Sequence, residues 1–164
     1  MMQSLWLDYA PAVIAAAAAL AVAVIGGVLT EIGPWYRNLN KPRWQPPDWA
    51  FAPAWTLIFT LTAISGVLAW GSFAPGADRR TLLLLFALNG VLNVLWSTLF
   101  FRMKRPDWAL AELTLLWASI VALMAFIAQG SAAAAWLLAP YLAWVTFAGV
   151  LNATVVGLNR PFGR

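Results

Sequence analysis

The sequence predicts an all-α membrane protein, built as a bundle of five transmembrane helices with a structured first loop. Three observations lead to this fold class: 63% of the residues are hydrophobic, only 10% are charged, and long uncharged runs alternate with short polar breaks. A soluble domain of this size could not cover so apolar an interior with a polar surface. We therefore expect one transmembrane domain over residues 1–164 and no separate extramembrane domain.

The first predicted span covers residues 9–30, which lie between Asp8 and Glu31 and carry no charge. About 20 residues are needed to cross a hydrocarbon core of about 30 Å, so this run forms a complete span. A cleaved signal peptide would begin with a basic segment, whereas the residues before Asp8 include no Lys or Arg. We expect the helix to remain part of the protein.

The second and third predicted spans cover residues 50–71 and 81–101, and a short polar segment separates them. Pro53 falls in the first turn of the second span, where its missing N–H has little cost. The third span carries Asn89 and Asn93 one helical turn apart. Because hydrocarbon cannot satisfy an amide group, this face is expected to look into the bundle.

The fourth and fifth predicted spans come from one long uncharged run, residues 113–159. This run is too long for a single membrane-crossing helix. The polar tripeptide at residues 129–131, Gln-Gly-Ser, supplies a break. We therefore predict a fourth span over residues 108–128 and a fifth over residues 132–157.

Basic residues fall mainly on one side of the predicted bundle. The positive-inside rule places the side that is richer in Lys and Arg in the cytoplasm. We therefore predict an integral protein of a bacterial membrane, with the N-terminus outside and the first loop, the third loop and the C-terminus in the cytoplasm. The cytoplasmic set is Arg37, Lys41, Arg43, Arg102, Lys104, Arg105, Arg160 and Arg164, and the outer set is Arg79 and Arg80.

The first loop, residues 35–49, reads WYRNLNKPRWQPPDW. It is too polar to cross a bilayer and too rich in aromatic residues and proline to be an ordinary linker. Pro42, Pro46 and Pro47 remove backbone donors and disfavour helix in the residues before them, so we expect an extended, stiffened flap. Its aromatic rings suit it to lie across the mouth of the bundle at headgroup level, and we interpret it as a lid.

The absence of Cys and His excludes several kinds of chemistry. Disulfides, thiolate nucleophiles, imidazole acid–base catalysis and the commonest metal and haem-iron ligands are all removed, so no metal site and no required cofactor are predicted. The net charge of +4 reflects membrane topology, and no nucleic-acid partner is expected. Glu112, near the start of the fourth span, is interpreted as a helix N-terminal charge and not as part of a proton path.

Asparagines and tryptophans inside the spans are the candidate ligand contacts. Asn89, Asn93 and Asn152 must either pair across helices or face a cavity. An interhelical hydrogen bond contributes only about 0.6 kcal/mol on average, which favours the cavity and leaves pairing as the alternative. For four tryptophans inside the spans, two interpretations remain open: the ring either fills the core or contacts a ligand. They are Trp55, Trp96, Trp117 and Trp144.

Three runs of sequence carry a family resemblance. The first loop fits the pattern W-Y-x-x-L-x-K-P-x-W-x-P-P-x-W, residues 92–96 read LNVLW, and residues 140–144 read PYLAW. With these motifs the chain resembles, over nearly its whole length, the TspO/MBR family of tryptophan-rich sensory proteins, translocator proteins or peripheral-type benzodiazepine receptors. The loop pattern is long enough to make chance agreement negligible.

This resemblance implies a five-helix bundle in membrane lipid, usually a homodimer, with a cavity closed by the first loop. It also implies binding of porphyrins, such as protoporphyrin IX and haem, and of benzodiazepine-like hydrophobic ligands. Arg37, Lys41 and Arg43 would meet porphyrin propionates at the mouth. Carried over by position, the pocket would consist of Trp35, Trp44, Trp55, Phe59, Asn89, Asn93, Trp96, Trp144, Ala148, Leu151 and Asn152.

The favoured function is a sensor or regulator of porphyrin or stress metabolism that binds its ligand in this pocket. One alternative is a light-dependent porphyrin-degrading enzyme, in which Trp55 and Trp144 would carry the redox chemistry. A second alternative is a structural or partner-binding membrane protein. Residues 150–160 contain no Tyr, so the pattern linked with cholesterol in animal members is absent and the sequence does not support a cholesterol site.

Overall fold

The computed structural model describes residues 2–162, with side chains described from residue 9 onward, and within that range the chain contains no strand. Arg164, which contributes to the predicted charge asymmetry, lies outside the described residues. The helices are α1 (Met2–Leu29), α2 (Pro34–Asn38), α3 (Phe51–Ser72), α4 (Ala77–Ser97), α5 (Pro106–Ala128), α6 (Ala132–Trp136) and α7 (Ala139–Asn159).

Within the part of the chain that the structure describes, five helical segments are long and apolar enough to cross a membrane, which confirms the predicted all-α bundle of five spans. Each segment overlaps one predicted span and ends within a few residues of it. The segments are Tyr9–Leu29, Asp48–Ser72, Ala77–Arg102, Pro106–Ala128 and Ala132–Asn159.

The five segments form a closed ring that is not in chain order. Helix α1 packs against α3 on one side and α4 on the other, α4 packs against α5, and α5 packs against α7. The ring closes where α3 meets α6, and there the buried Ser65 hydroxyl donates to the Ala134 carbonyl at 2.8 Å. We call the end that carries the first loop the loop end, and the end that carries α6 the far end.

The fifth span departs from the predicted continuous helix over residues 132–157. Leu137 and Leu138 interrupt it between α6 and α7. Pro140 lies in the first turn of α7 and has no N–H to continue a hydrogen-bond ladder from α6. Pro140 is therefore the sequence signal for this break.

Helix α4 ends in a wider, π-helical turn, Thr98–Arg102. The N–H of Met103 donates to the Thr98 carbonyl five residues earlier, at 2.9 Å. Such a turn changes the direction in which the following side chains point. Phe100 and Phe101 are both buried in this turn, beneath the first loop.

The packed core lies off centre in the ring. Buried apolar residues occur in α3, α4, α5, α6 and α7, and they concentrate on α5. The membrane-spanning part of α1, in contrast, contributes no buried residue. The inner side of α1 therefore faces open space instead of a packed core.

Candidate cavity

A cavity of about 1000 Å³ lies between α1 and α3 on one side and α4, α5 and α7 on the other. This volume is at the upper end of the range for ligand sites, about 300–1,000 Å³. Small residues keep the α1 side open, because larger side chains there would fill the space. They are Ala12, Ala16, Ala19, Ala23, Gly26 and Gly27.

Aromatic rings form the wall on three helices. On α3, Trp55 stacks with Phe59 at a centroid distance of 5.3 Å. On the α4 side, Trp96 stacks with Phe100 at 5.2 Å. On α7, Trp144 packs edge to face against Phe51 of α3, with 5.6 Å between the ring centroids. The cavity therefore offers flat apolar faces from several directions, which suits a flat aromatic guest.

Most of the pocket residues predicted from the sequence lie on this wall. They come from α3, α4 and α7, three segments that are distant in the chain and are brought together by the ring. The residues on the wall are Trp55, Phe59, Asn93, Trp96, Trp144, Ala148, Leu151 and Asn152.

The other three predicted pocket residues lie off the wall of this cavity. Trp35 packs edge to face against Phe100, at 6.1 Å between ring centroids. Trp44 packs in the same way on Phe147, at 5.8 Å. Asn89 is buried and directs its amide nitrogen to the next helix of the ring. All three side chains pack against or bond to residues around the cavity.

Several wall residues were missed by the sequence analysis. On α3 the wall residues Phe51, Trp55, Phe59 and Ala63 recur every four positions, and this spacing was a signal that could have identified the whole face. Phe101 also lies on the wall. Its placement depends on the π-helical turn, for which we see no signal in the sequence.

Residues of the first loop line the loop end of the cavity, and the shape of the loop differs from the extended flap that was predicted. Pro34 opens the short helix α2, because its fixed φ favours the first helical turn. A single 3₁₀ turn, Asp48–Ala50, then leads into α3. The loop residues on the cavity wall are Ile32, Tyr36, Leu39, Lys41, Gln45 and Asp48.

A pair of hydrogen bonds ties this loop to the end of α7. The N–H of Asn40 donates to Oδ1 of Asn159 at 2.8 Å, and Nδ2 of Asn159 donates to the Asn40 carbonyl, also at 2.8 Å. We call this pair the Asn40–Asn159 clasp. It joins residues far apart in the chain and holds the loop against the bundle.

Of the three predicted mouth charges, only Lys41 lies on the cavity wall. Arg37 and Arg43 are exposed on the protein surface and do not line the cavity. The Lys41 ammonium lies 4.2 Å from the centroid of the Tyr36 ring, within range of a cation–π interaction. Burial raises the pKa of the Tyr36 hydroxyl, and the negative charge of Asp48 adds to this effect. Tyr36 is therefore a neutral phenol at the mouth.

A chain of buried hydrogen bonds leads inward from the wall. Asn93 Nδ2 donates to the Tyr141 hydroxyl at 3.0 Å, and that hydroxyl donates to Asn89 Oδ1 at 3.2 Å. Asn89 Nδ2 donates to Ser119 Oγ at 2.9 Å, and Ser119 donates to the Leu116 carbonyl at 2.7 Å. We call this chain the amide relay. It shows that Asn89 pairs across helices, while Asn93 both pairs and lines the cavity.

The third buried asparagine also has both roles. Asn152 lies on the wall and is almost fully buried. With its amide oriented to satisfy both atoms, the nitrogen donates to the Pro106 carbonyl at 3.0 Å and the oxygen accepts from the Leu110 N–H at 3.2 Å. Asn152 therefore joins α7 to the first turn of α5.

Glu112 does not act as the N-terminal charge of α5. Its side chain is buried, and neither carboxylate oxygen has a hydrogen-bond partner among the described residues. The charge in the first turn of α5 belongs to Asp107, whose Oδ1 accepts a hydrogen bond from Arg105 Nε at 2.8 Å. The prediction that Glu112 is the N-terminal charge of α5 was therefore wrong.

Comparison with known proteins identifies similar chains. A sequence model of the TspO/MBR family matches residues 13–157, which cover all or most of every helix of the ring. The tryptophan-rich protein TspO of Chlorobaculum tepidum is 42% identical over 144 residues, 85% of this chain and 90% of that protein.

Similar chains occur in other organisms as well. The tryptophan-rich sensory protein of Cereibacter sphaeroides is 36% identical over 140 residues, 84% of this chain and 86% of that protein. The translocator protein of Bos taurus is 37% identical over 119 residues, 72% of this chain and 70% of that protein. The similarity therefore extends from bacterial to mammalian proteins.

Proposed function

The chain belongs to the TspO/MBR family, and on that premise we propose that it binds tetrapyrroles, protoporphyrin IX and haem, in the cavity between the helices. In this proposal it is a membrane sensor or regulator of porphyrin or stress metabolism. The observation that supports it best is the cavity of about 1000 Å³ with indole rings on three of its sides. Relatives named sensory protein and translocator protein are consistent with reversible ligand binding.

The wall suits a flat macrocycle. Stacked ring pairs on α3 and on the α4 side can contact the two faces of a planar guest, and such contacts contribute about 0.5–1.5 kcal/mol each beyond the burial of area. Lys41 is the one predicted mouth charge on the wall, and its ammonium is placed to bind a propionate by a charge-assisted hydrogen bond. Benzodiazepine-like compounds are expected to use the same rings.

Titration of the purified protein with protoporphyrin IX tests this proposal, with tryptophan fluorescence as the measurement. We expect saturable quenching, and we expect Trp55→Leu to weaken binding by about three- to tenfold through the loss of one stacking ring. Trp136→Leu is the matched control, because Trp136 is 72% exposed at the far end. Quenching that does not saturate, or equal effects of the two variants, would argue against this site.

Haem and metal-free protoporphyrin are expected to bind with affinities within about tenfold of each other. The chain contains no His or Cys, so the iron gains no common axial ligand from the protein. Competition between the two porphyrins in the quenching assay measures the ratio. A haem preference greater than about tenfold, about 1.4 kcal/mol, would contradict this expectation.

We propose that the first loop acts as a lid and that the Asn40–Asn159 clasp holds it closed. Asn159→Leu removes both hydrogen bonds of the clasp, at a partly exposed site, and also the bond from Nδ2 to the Val155 carbonyl within α7. We expect protoporphyrin to dissociate about three- to tenfold faster. Stopped-flow dissociation measures this rate. Thr154→Val, on the same helix, loses only a bond to the Val150 carbonyl and serves as the control. Equal rates in the two variants would exclude a latch at this position.

Light-dependent porphyrin degradation is the second candidate function. It is favoured by one observation, that Trp55 and Trp144 both line the cavity, where their indoles would be close to an excited porphyrin. Illumination of the protein with protoporphyrin IX would then produce a new absorbance band. Trp55→Phe and Trp144→Phe should retain a ring for binding and abolish the new band. If illumination only bleaches the porphyrin as it does in buffer, the binding function alone remains.

A further inference from the structure

The amide relay has a fixed direction, and this direction starts at a backbone carbonyl. The Leu116 carbonyl can only accept, so the single hydroxyl hydrogen of Ser119 is used in the 2.7 Å bond to it. Towards Asn89, at 2.9 Å, Ser119 Oγ is then left as an acceptor. The Asn89 amide must therefore turn its nitrogen to Ser119 and its oxygen away from it.

The same reasoning continues across α7. Asn89 Oδ1 accepts the only hydroxyl hydrogen of Tyr141, at 3.2 Å. Towards Asn93, at 3.0 Å, the Tyr141 oxygen is again only an acceptor, so Asn93 turns its amide nitrogen to it. Flipping any one amide would bring two acceptors face to face in a buried site and would leave donors unpaired.

Because the Asn93 amide nitrogen is used in the bond to Tyr141, the amide oxygen is the atom left to face the cavity. Asn93 lies on the cavity wall. Its oxygen makes no hydrogen bond to any described residue. That oxygen is also not among the side-chain atoms that are both fully buried and without a partner, so part of its surface is accessible. It is thus an open acceptor in a wall that consists mainly of hydrocarbon and aromatic rings.

We infer that Asn93 is a specificity-determining residue, whose oxygen selects guests that carry an N–H or O–H donor over matched guests that lack one. The inference rests on the proposed function, because it assumes that the cavity takes flat apolar ring compounds. A guest that carries a donor forms a hydrogen bond with the Asn93 oxygen. A guest without a donor displaces water from that oxygen and leaves the oxygen without a hydrogen-bond partner. The expected preference is about three- to tenfold.

Carbazole and 9-methylcarbazole test the inference, since they share one flat ring system and differ only in N–H against N–CH₃. Dissociation constants for both are measured by displacement of protoporphyrin IX from the full-length protein in detergent. The ratio of the two constants in Asn93→Leu, a variant of similar size without the acceptor, gives the baseline for sterics and detergent partition. We expect the wild-type ratio to favour carbazole by about three- to tenfold over that baseline.

Ser119→Ala tests the relay without changing the wall, because Ser119 does not line the cavity. Removing its hydroxyl frees Asn89, Tyr141 and Asn93 to reorient, so the preference for carbazole should fall towards the baseline while 9-methylcarbazole binds as before. A merely structural role would weaken both ligands equally. Thr114→Ala is the control, since Thr114 lies on the same helix, its hydroxyl donates to the Ala111 carbonyl at 2.7 Å, and it neither lines the cavity nor takes part in the relay.

The outcomes separate the inference from the proposed function. If protoporphyrin and both carbazoles bind but Asn93→Leu and Ser119→Ala leave the ratio unchanged, the acceptor has no role in selection and the inference is overturned. If neither protoporphyrin nor carbazole binds to the wild-type protein, the proposed function fails and the inference fails with it. If Asn93→Leu does not fold, the smaller change Ser119→Ala decides between these outcomes.

Discussion

Ala148→Phe is expected to weaken protoporphyrin binding by more than about tenfold, a loss of at least about 1.4 kcal/mol. Ala148 lies on the cavity wall of α7, in the middle of the face that also carries Trp144 and Leu151. A benzyl group at this position would occupy space that the guest needs, and the neighbouring rings are already packed against one another. Tryptophan quenching by protoporphyrin measures the change in dissociation constant.

Val150→Phe is the matched control for this experiment. It adds a ring of similar size to the same helix, but Val150 is 57% exposed and does not line the cavity. Binding to this variant should match the wild-type protein, and thermal unfolding of both variants checks that the bundle is intact. Normal binding by a folded Ala148→Phe variant would place the porphyrin somewhere other than this cavity.

The membrane spans could be predicted because their signal is local. An apolar run of about 20 residues without charges is long enough to cross the bilayer. The positions of the charged residues and of the 129–131 tripeptide therefore predict the five spans. The break at Leu137 and Leu138 was not predicted although Pro140 signals it, because an uncharged run indicates a span without showing where the helix inside it is interrupted. The π-helical turn at Thr98–Arg102 arises from packing and has no comparable local signal.

The site was partly predictable for a related reason. Polar amides and indoles inside spans must find partners, which left Asn93 and Trp55 between core packing and a cavity. The family resemblance favoured a pocket, and both residues lie on the cavity wall. Asn89 shares a face with Asn93, yet only Asn93 reaches the cavity, because the Tyr141 hydroxyl from α7 lies between the two amides. No pattern within α4 contains that information.

The open space itself was the hardest feature to predict. It depends on alanines and glycines of α1, which leave room only because α3 and α4 hold α1 at the edge of the ring. In sequence, small residues at helical spacing are also typical of tight helix packing. The same pattern can therefore mean contact or cavity, and the arrangement of the other helices decides which.

Gly130→Ala is expected to destabilise the bundle by about 1–3 kcal/mol, the usual cost of overpacking. A Cβ at Gly130 would lie 2.7 Å from Ser72 Oγ and 3.1 Å from the Phe73 ring. Ser72 cannot rotate freely, since its hydroxyl donates to the Ala69 carbonyl at 2.8 Å. Phe73 is buried and stacks on Phe126 at 4.9 Å, so the ring cannot move away without disturbing the far-end core.

Thermal unfolding in detergent measures this effect, and for a chain of this length we expect the midpoint to fall by about 3–10 °C. Gly71→Ala is the control, because a Cβ at Gly71 meets no atom within 4 Å and alanine is the better helix former. The two sites lie at the same end of the bundle, so detergent and global effects act on both. Since Gly130 is remote from the cavity wall, protoporphyrin affinity should be unchanged in the folded variant. An unaltered midpoint in Gly130→Ala would mean that the junction of α3, α5 and α6 is looser than the distances indicate.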